Sequence, residues 1–196
     1  MKKILLVLGF GIITMPLMAQ LSQTERDFAI SYLKATHNNI VEVVKDLPEE
    51  SFNYKPKEGG WSVSNALEHI LLTETAFFGM AQGTLVNDES MSEKDMSGKD
   101  GILIGMLANR GTKVKTAAPF EPTGKWDTKE DMLAELEKSR NQLIDFLSST
   151  DADLRGHVTT IPVGEVDVYQ IILIISAHSQ RHTFQMQEVL AELNAM

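Results

Sequence analysis

The segment that most constrains this chain is its last long apolar run, residues 167–190, DVYQIILIISAHSQRHTFQMQEVL. Its apolar positions recur at helical spacing, and Asp167 followed by Gln170 forms a capping box at its start. His178 and His182 lie on the stripe shared by Ile171, Ile175, Met186 and Val189. A separation of four places both imidazoles on one side of the helix, a turn apart and facing inward. Two buried imidazoles side by side both need polar partners. They mark either half of a metal site or an unusual piece of core, and the rest of the chain has to decide between these.

Three further helices can be read upstream. Ser22 with Glu25 makes a capping box for a helix whose apolar side is Phe28, Leu33, Ile40, Val41, Val44 and Leu47, stopped by Pro48. Ser62 is a good N-cap for a second, with Val63, Leu67, Ile70, Leu71, Phe77 and Phe78 inward and Gly83 at its end. Thr128 with Asp131 caps a third, carrying Met132, Leu133, Leu136, Leu143, Ile144 and Leu147. The connectors are less regular. Residues 48–61 predict an irregular turn or a single helical turn, and residues 101–115 a short helix weakened by Gly101, Gly105 and Gly111. Residues 157–168 predict a small hairpin or an extended turn. The expected fold class is all-α, a four-helix bundle with a long connection between the second and third long helices.

Residues 1–19 read as a signal peptide: Lys2 and Lys3 precede a short apolar run, and Ala19 is a small residue ahead of Gln20. Residues 20–196 then form the bundle domain, and the protein is expected to be exported, periplasmic or secreted. Gly9, Gly11 and Pro16 interrupt the run, which is short for a membrane span, so no stable anchor is expected once it is removed. With 27 acidic against 18 basic residues the net charge is −9, which argues against nucleic acid as a partner. The chain has no cysteine and so no disulfide, thiolate ligand or cysteine nucleophile. A homodimer is the expected oligomer, since symmetric dimers predominate.

Bundle cores hold metals with side chains from facing helices, so other inward polar residues matter. His69 flanks the apolar stripe of the second helix and His37 lies on that of the first, whereas His157 sits in a connector. A lone helical histidine is most often a satisfied core or boundary residue, the reading adopted for His37 and His157. Glu68, Glu74 and Glu188 lie near these histidines in sequence, but none is assigned as an acid or base. Gln185 can orient a ligand and Arg181 can bind an anion, although both residue types usually face solvent on a helix. Trp61 and Trp126 precede helix starts, as hydrophobic staples or as walls of a pocket.

WSVSNALEHI in the second helix, FNYKP just before it, and SAHSQRHTFQM in the last helix together resemble the DinB-like (YfiT-like) superfamily. The resemblance runs from about Leu21 to Leu190 and implies a four-helix bundle. It further implies a metal site made by His69, His178 and His182, holding a divalent transition metal. Zinc or nickel is foremost, with iron or manganese also compatible with imidazole ligation. The family includes thiol-dependent transferases, an isomerase and proposed hydrolases. The expectation is a metal-dependent hydrolase, or a thiol-type transferase, acting on a small-molecule substrate. Export favours hydrolysis, because low-molecular-weight thiols belong mainly to the reducing cytosol. The alternative is a non-catalytic metal- or ligand-binding bundle.

Overall fold

Short polar capping residues set where each long helix starts, and the apolar stripes follow from there. A computed structural model describes residues 21–112 and 114–196, so the proposed signal, residues 1–19, lies outside the described residues. Helix α1 spans Gln23–Val44, and Ser22 and Glu25 close a reciprocal capping box at its start. A single-turn helix, α2, covers Glu49–Asn53 in the first connector. Helix α3 spans Val63–Leu85 from a second box, between Ser62 and Asn65. Short α4 covers Asp100–Ala108, and α5 spans Lys129–Ser149 behind the Thr128 cap. Strands β1, Val158–Ile161, and β2, Gly164–Asp167, pair antiparallel as a small hairpin. Helix α6 spans Val168–Asn194 and carries the Asp167–Gln170 box. Each such cap contributes about 1 kcal/mol and fixes where its helix begins.

The four long helices form the bundle. Helix α6 packs on α1 and α3, α5 packs on the same two, and α4 covers the outer side of α6. One end of the core gathers Leu33, Leu143, Leu147, Ile171 and Ile175, and the other Ile40, Val44, Leu67, Ile70, Leu136 and Met186. At roughly 1.5–3 kcal/mol for each large side chain buried, these two clusters dominate the stability of the fold. Among the described residues no helix is long and apolar enough to cross a membrane.

Three local expectations are corrected. Gly83 does not end its helix but lies in the last turn of α3, which runs on to Leu85. Phe28 is 49% exposed, because it sits beside rather than on the Ala29–Leu33–Ile40 line that meets the core. The closing helix continues past Leu190 to Asn194.

A buried arginine ties the bundle together. Arg140 of α5 donates to the Leu33 carbonyl and to Thr36 of α1, and to Ser179 of α6. Its guanidinium also pairs at 2.9 Å with Glu74 of α3, both side chains being almost wholly buried. Arg155, ahead of the hairpin, joins Glu25 of α1, Asp100 of α4 and the α6 cap Asp167 in a second network. These two clusters fix the register of α6 against its neighbours at its start and near its middle.

Candidate metal centre

His69 leaves α3 and His178 and His182 leave α6 at the seam between those helices. The ligand-capable nitrogens of the three lie within 4.8 Å of one another. His178 Nε2 is 3.2 Å from His69 Nε2 and 3.1 Å from His182 Nε2. Two nitrogens bound at about 2.0–2.1 Å to one tetrahedral ion stand roughly 3.4 Å apart, so this spacing suits a shared ion.

The other nitrogen of each ring is held by an oxygen. His69 Nδ1 donates to the Phe120 carbonyl at 2.7 Å, and His182 Nδ1 donates to Gln185 Oε1 at 2.8 Å. His178 Nδ1 lies 3.3 Å from Thr73 Oγ1, whose own proton goes to the His69 carbonyl at 2.8 Å. The Thr73 oxygen is thereby left to accept from His178. With every Nδ1 protonated, all three Nε2 lone pairs point into the same space. Outward-donating histidines of this kind are how proteins set the tautomer and aim of metal ligands. Three Nε2 acceptors facing one another have no hydrogen to share, and a cation between them resolves that arrangement.

Electrostatics keep the rings neutral. Burial lowers His69, partly offset by the Phe120 carbonyl. Burial pushes His182 down to about 3, with His69, Arg110 and Arg181 adding repulsion and Gln185 opposing it. His178 lies well below the usual imidazole range through burial and repulsion from His182, His69 and Arg181. Neutral imidazole is the form that ligates.

Some residues singled out by sequence meet at this centre and others do not. Trp61 forms a wall, its ring 4.7 Å from His69 and 5.9 Å from His182. Trp126 is elsewhere, packed on the core cluster that contains Met132. His37 bonds its neighbour Asn38, and His157 bonds Ser90, both away from the three. Glu74 is committed to Arg140 and Ser139, and Glu188 to Arg110.

Glu68 has a different task from the one its position suggests. Its buried carboxylate accepts backbone N–H bonds from Thr123, Gly124 and Lys125 at 2.8, 3.0 and 3.1 Å. Burial raises its pKa, but these donors outweigh that and leave it lowered. Gly124 supplies the left-handed turn, at φ +77°, that lets the backbone wrap the carboxylate. The loop so pinned is the one that presents the Phe120 carbonyl to His69. Thr73 and Phe120 escaped the sequence reading: a helical threonine is unremarkable, and a carbonyl has no residue signature. The i, i+4 relation of Thr73 to His69 was the only visible signal.

Comparison with known proteins identifies the family and the fold. A model of the DinB superfamily matches residues 32–186. The uncharacterized protein YuaE of Bacillus subtilis (strain 168) is 27% identical over 147 residues, 74% of this chain and 87% of YuaE. The solved structure of YfiT from Bacillus subtilis matches with a TM-score of 0.62 and 14% identity, over 90% of this chain and 91% of YfiT. YfiT is described as a probable metal-dependent hydrolase with an unusual four-helix bundle topology. At that identity the likeness establishes the shared fold.

Proposed function

This chain belongs to the DinB superfamily, and from that premise we propose that it is an exported metal-dependent hydrolase of a small molecule. His69, His178 and His182 hold its divalent ion. The observation that carries the reading is the convergence of three Nε2 atoms whose Nδ1 partners are each fixed by an oxygen. Three protein ligands leave one position open to water or substrate.

A divalent ion there supplies Lewis acidity, polarising a substrate oxygen and acidifying water. The chain's own residues do the rest. Phe120, Thr73 and Gln185 hold the imidazoles in the ligating tautomer, and Glu68 holds the loop that carries Phe120. Trp61 shields one side from solvent and offers an apolar wall. Residues 1–19 act as the export signal, and the described domain functions after their removal.

One observation favours the alternative of a binding protein without turnover. The two buried carboxylates that flank His69 in sequence, Glu68 and Glu74, are already engaged and are not free to act as a base.

Metal analysis of purified protein tests the core claim. Wild type is expected to carry about one equivalent of a divalent transition metal, and His178→Ala to lose it. Equal sub-stoichiometric metal in both would sink the three-histidine reading. In a screen of ester, amide and phosphoester substrates, His182→Ala is expected to abolish turnover. Full activity in that variant removes the hydrolase and leaves the binding protein.

A further inference from the structure

One face of α6 beside the three histidines carries a chemistry that the metal reading does not use. Arg181, Gln185 and Glu188 recur at spacings of four and three, so they form one stripe. Gln185 connects that stripe to the centre through its bond to His182. The segment just past α4 is stitched to the same stripe by two guanidinium groups. Arg110 donates to Glu188 through Nε and Nη2, at 3.3 and 2.8 Å, and Arg181 donates to the Thr112 carbonyl.

The charges do not balance. Arg181 is 9% exposed and makes no direct ion pair among the described residues, Glu188 acting on it only at longer range. A single carbonyl takes one of its five N–H donors. A buried cation is ordinarily paired, because leaving it alone in a low-dielectric setting is costly. Arg110 does have a carboxylate, but the Glu188 side chain is 55% exposed, and ion pairs so open to water are held weakly. The acidic residues closest to His69 in sequence face elsewhere, Glu68 into loop amides and Glu74 onto Arg140. Three neutral imidazoles would leave the charge of a bound divalent ion uncompensated as well. Two guanidinium groups thus share one carboxylate, Glu188, on this stripe of a chain whose net charge is −9.

We propose that the small molecule taken by this centre carries an anionic group, a carboxylate or a phosphate, which Arg110 and Arg181 bind beside the three histidines. The proposal rests on the metal-site reading above and adds the substrate class to it. The planar guanidinium fork suits both oxyanions, and Arg110 can exchange Glu188 for a ligand oxygen. Trp61, across the histidines, faces the apolar remainder of the molecule.

Zinc-loaded full-length domain, titrated by calorimetry and by Trp61-sensitive fluorescence, provides the test. The probes are benzoate, phenylphosphonate and the neutral control benzamide. Either anion is expected to bind at least about tenfold more tightly than benzamide, and which of the two wins identifies a carboxylate or a phosphate source. Arg110→Gln and Arg181→Gln are each expected to weaken anion binding about tenfold while leaving zinc affinity and benzamide binding unchanged. Arg181→Lys should restore part of the loss, since it keeps the charge. Because Arg181 is buried, the more exposed Arg110 variant decides the matter if Arg181→Gln fails to fold. Wild-type anion affinity in Arg110→Gln, or equal binding of benzamide and both anions, overturns the proposal. Should zinc not bind at all, arginine-dependent anion binding by the metal-free protein upholds this inference while the metal reading falls.

Discussion

At the scale of single residues, the three histidines cost the metal-free protein stability in acid. An unfolded histidine titrates near 6.5, whereas His182 in the folded chain is pushed down to about 3, chiefly by burial. Between those values the unfolded state binds the extra proton, so stability falls as pH falls. The loss begins near 6.5 and is complete only below the folded value. Its slope approaches about 1.4 kcal/mol per pH unit for each histidine so held. Asp167, raised to about 6 mainly by burial, works in the opposite sense over the upper part of this window. Wild type is therefore best compared with His182→Gln. The urea midpoint of metal-free wild type minus that of the variant, at pH 7, 6 and 5, is expected to fall as the pH drops, since only wild type loses the His182 contribution. Parallel pH dependence would show that His182 is not held neutral. The three clustered histidines were legible because imidazole is rare on an apolar stripe and because the flanking motifs resemble a family. Thr73 and Phe120 were not, since their roles lie in a hydroxyl orientation and a carbonyl that only the folded chain brings to the rings.

At the scale of elements, the helices were legible because their starts are written in short polar boxes, at Ser22, Ser62, Thr128 and Asp167. Their ends carry weaker signals. Gly83 was misjudged because a glycine within the last turn costs only about 1 kcal/mol, less than the packing of α3 contributes. The contact that unites the elements left no pattern at all. Arg140 sits among exposed charges of α5 in sequence, yet in space it reaches α1, α3 and α6 at once. Replacing it with Met leaves Glu74 buried without its cation, and a loss of about 3–5 kcal/mol is expected. Adding Glu74→Gln to that variant is expected to recover much of the loss, because the uncompensated charge is gone. Chemical denaturation of wild type, single and double variants makes a cycle that decides the point. A double variant no more stable than Arg140→Met would assign the cost to lost packing and helix hydrogen bonds instead of the stranded carboxylate.

At the scale of the whole molecule, the four-helix bundle follows from four amphipathic helices, but the division of labour between its parts does not. The long connection between α3 and α5 was legible only as a loop with a short helix. In the folded chain it supplies α4 as a cover for α6, the Phe120 carbonyl for His69, and Arg110 and Thr112 against the α6 stripe. Such long-range pairings have no periodicity to reveal them. The centre consequently joins three separate stretches of chain: α3 and α6 through the histidines, and the connection through its carbonyl. A metal bound there holds the native arrangement and has no equivalent partner in an unfolded chain. Free zinc at about 100 times its dissociation constant should thus stabilise the fold by roughly 2.7 kcal/mol. For a domain of this size that corresponds to a rise of roughly 5–10 °C in the thermal midpoint. The rise should vanish in His178→Ala, whose remaining histidines, His69 and His182, come from different helices and offer only two nitrogens. Thermal scans of both proteins with and without zinc make the comparison. An equal rise in the variant would mean that zinc acts at the acidic surface and that the bundle is not clasped at this seam.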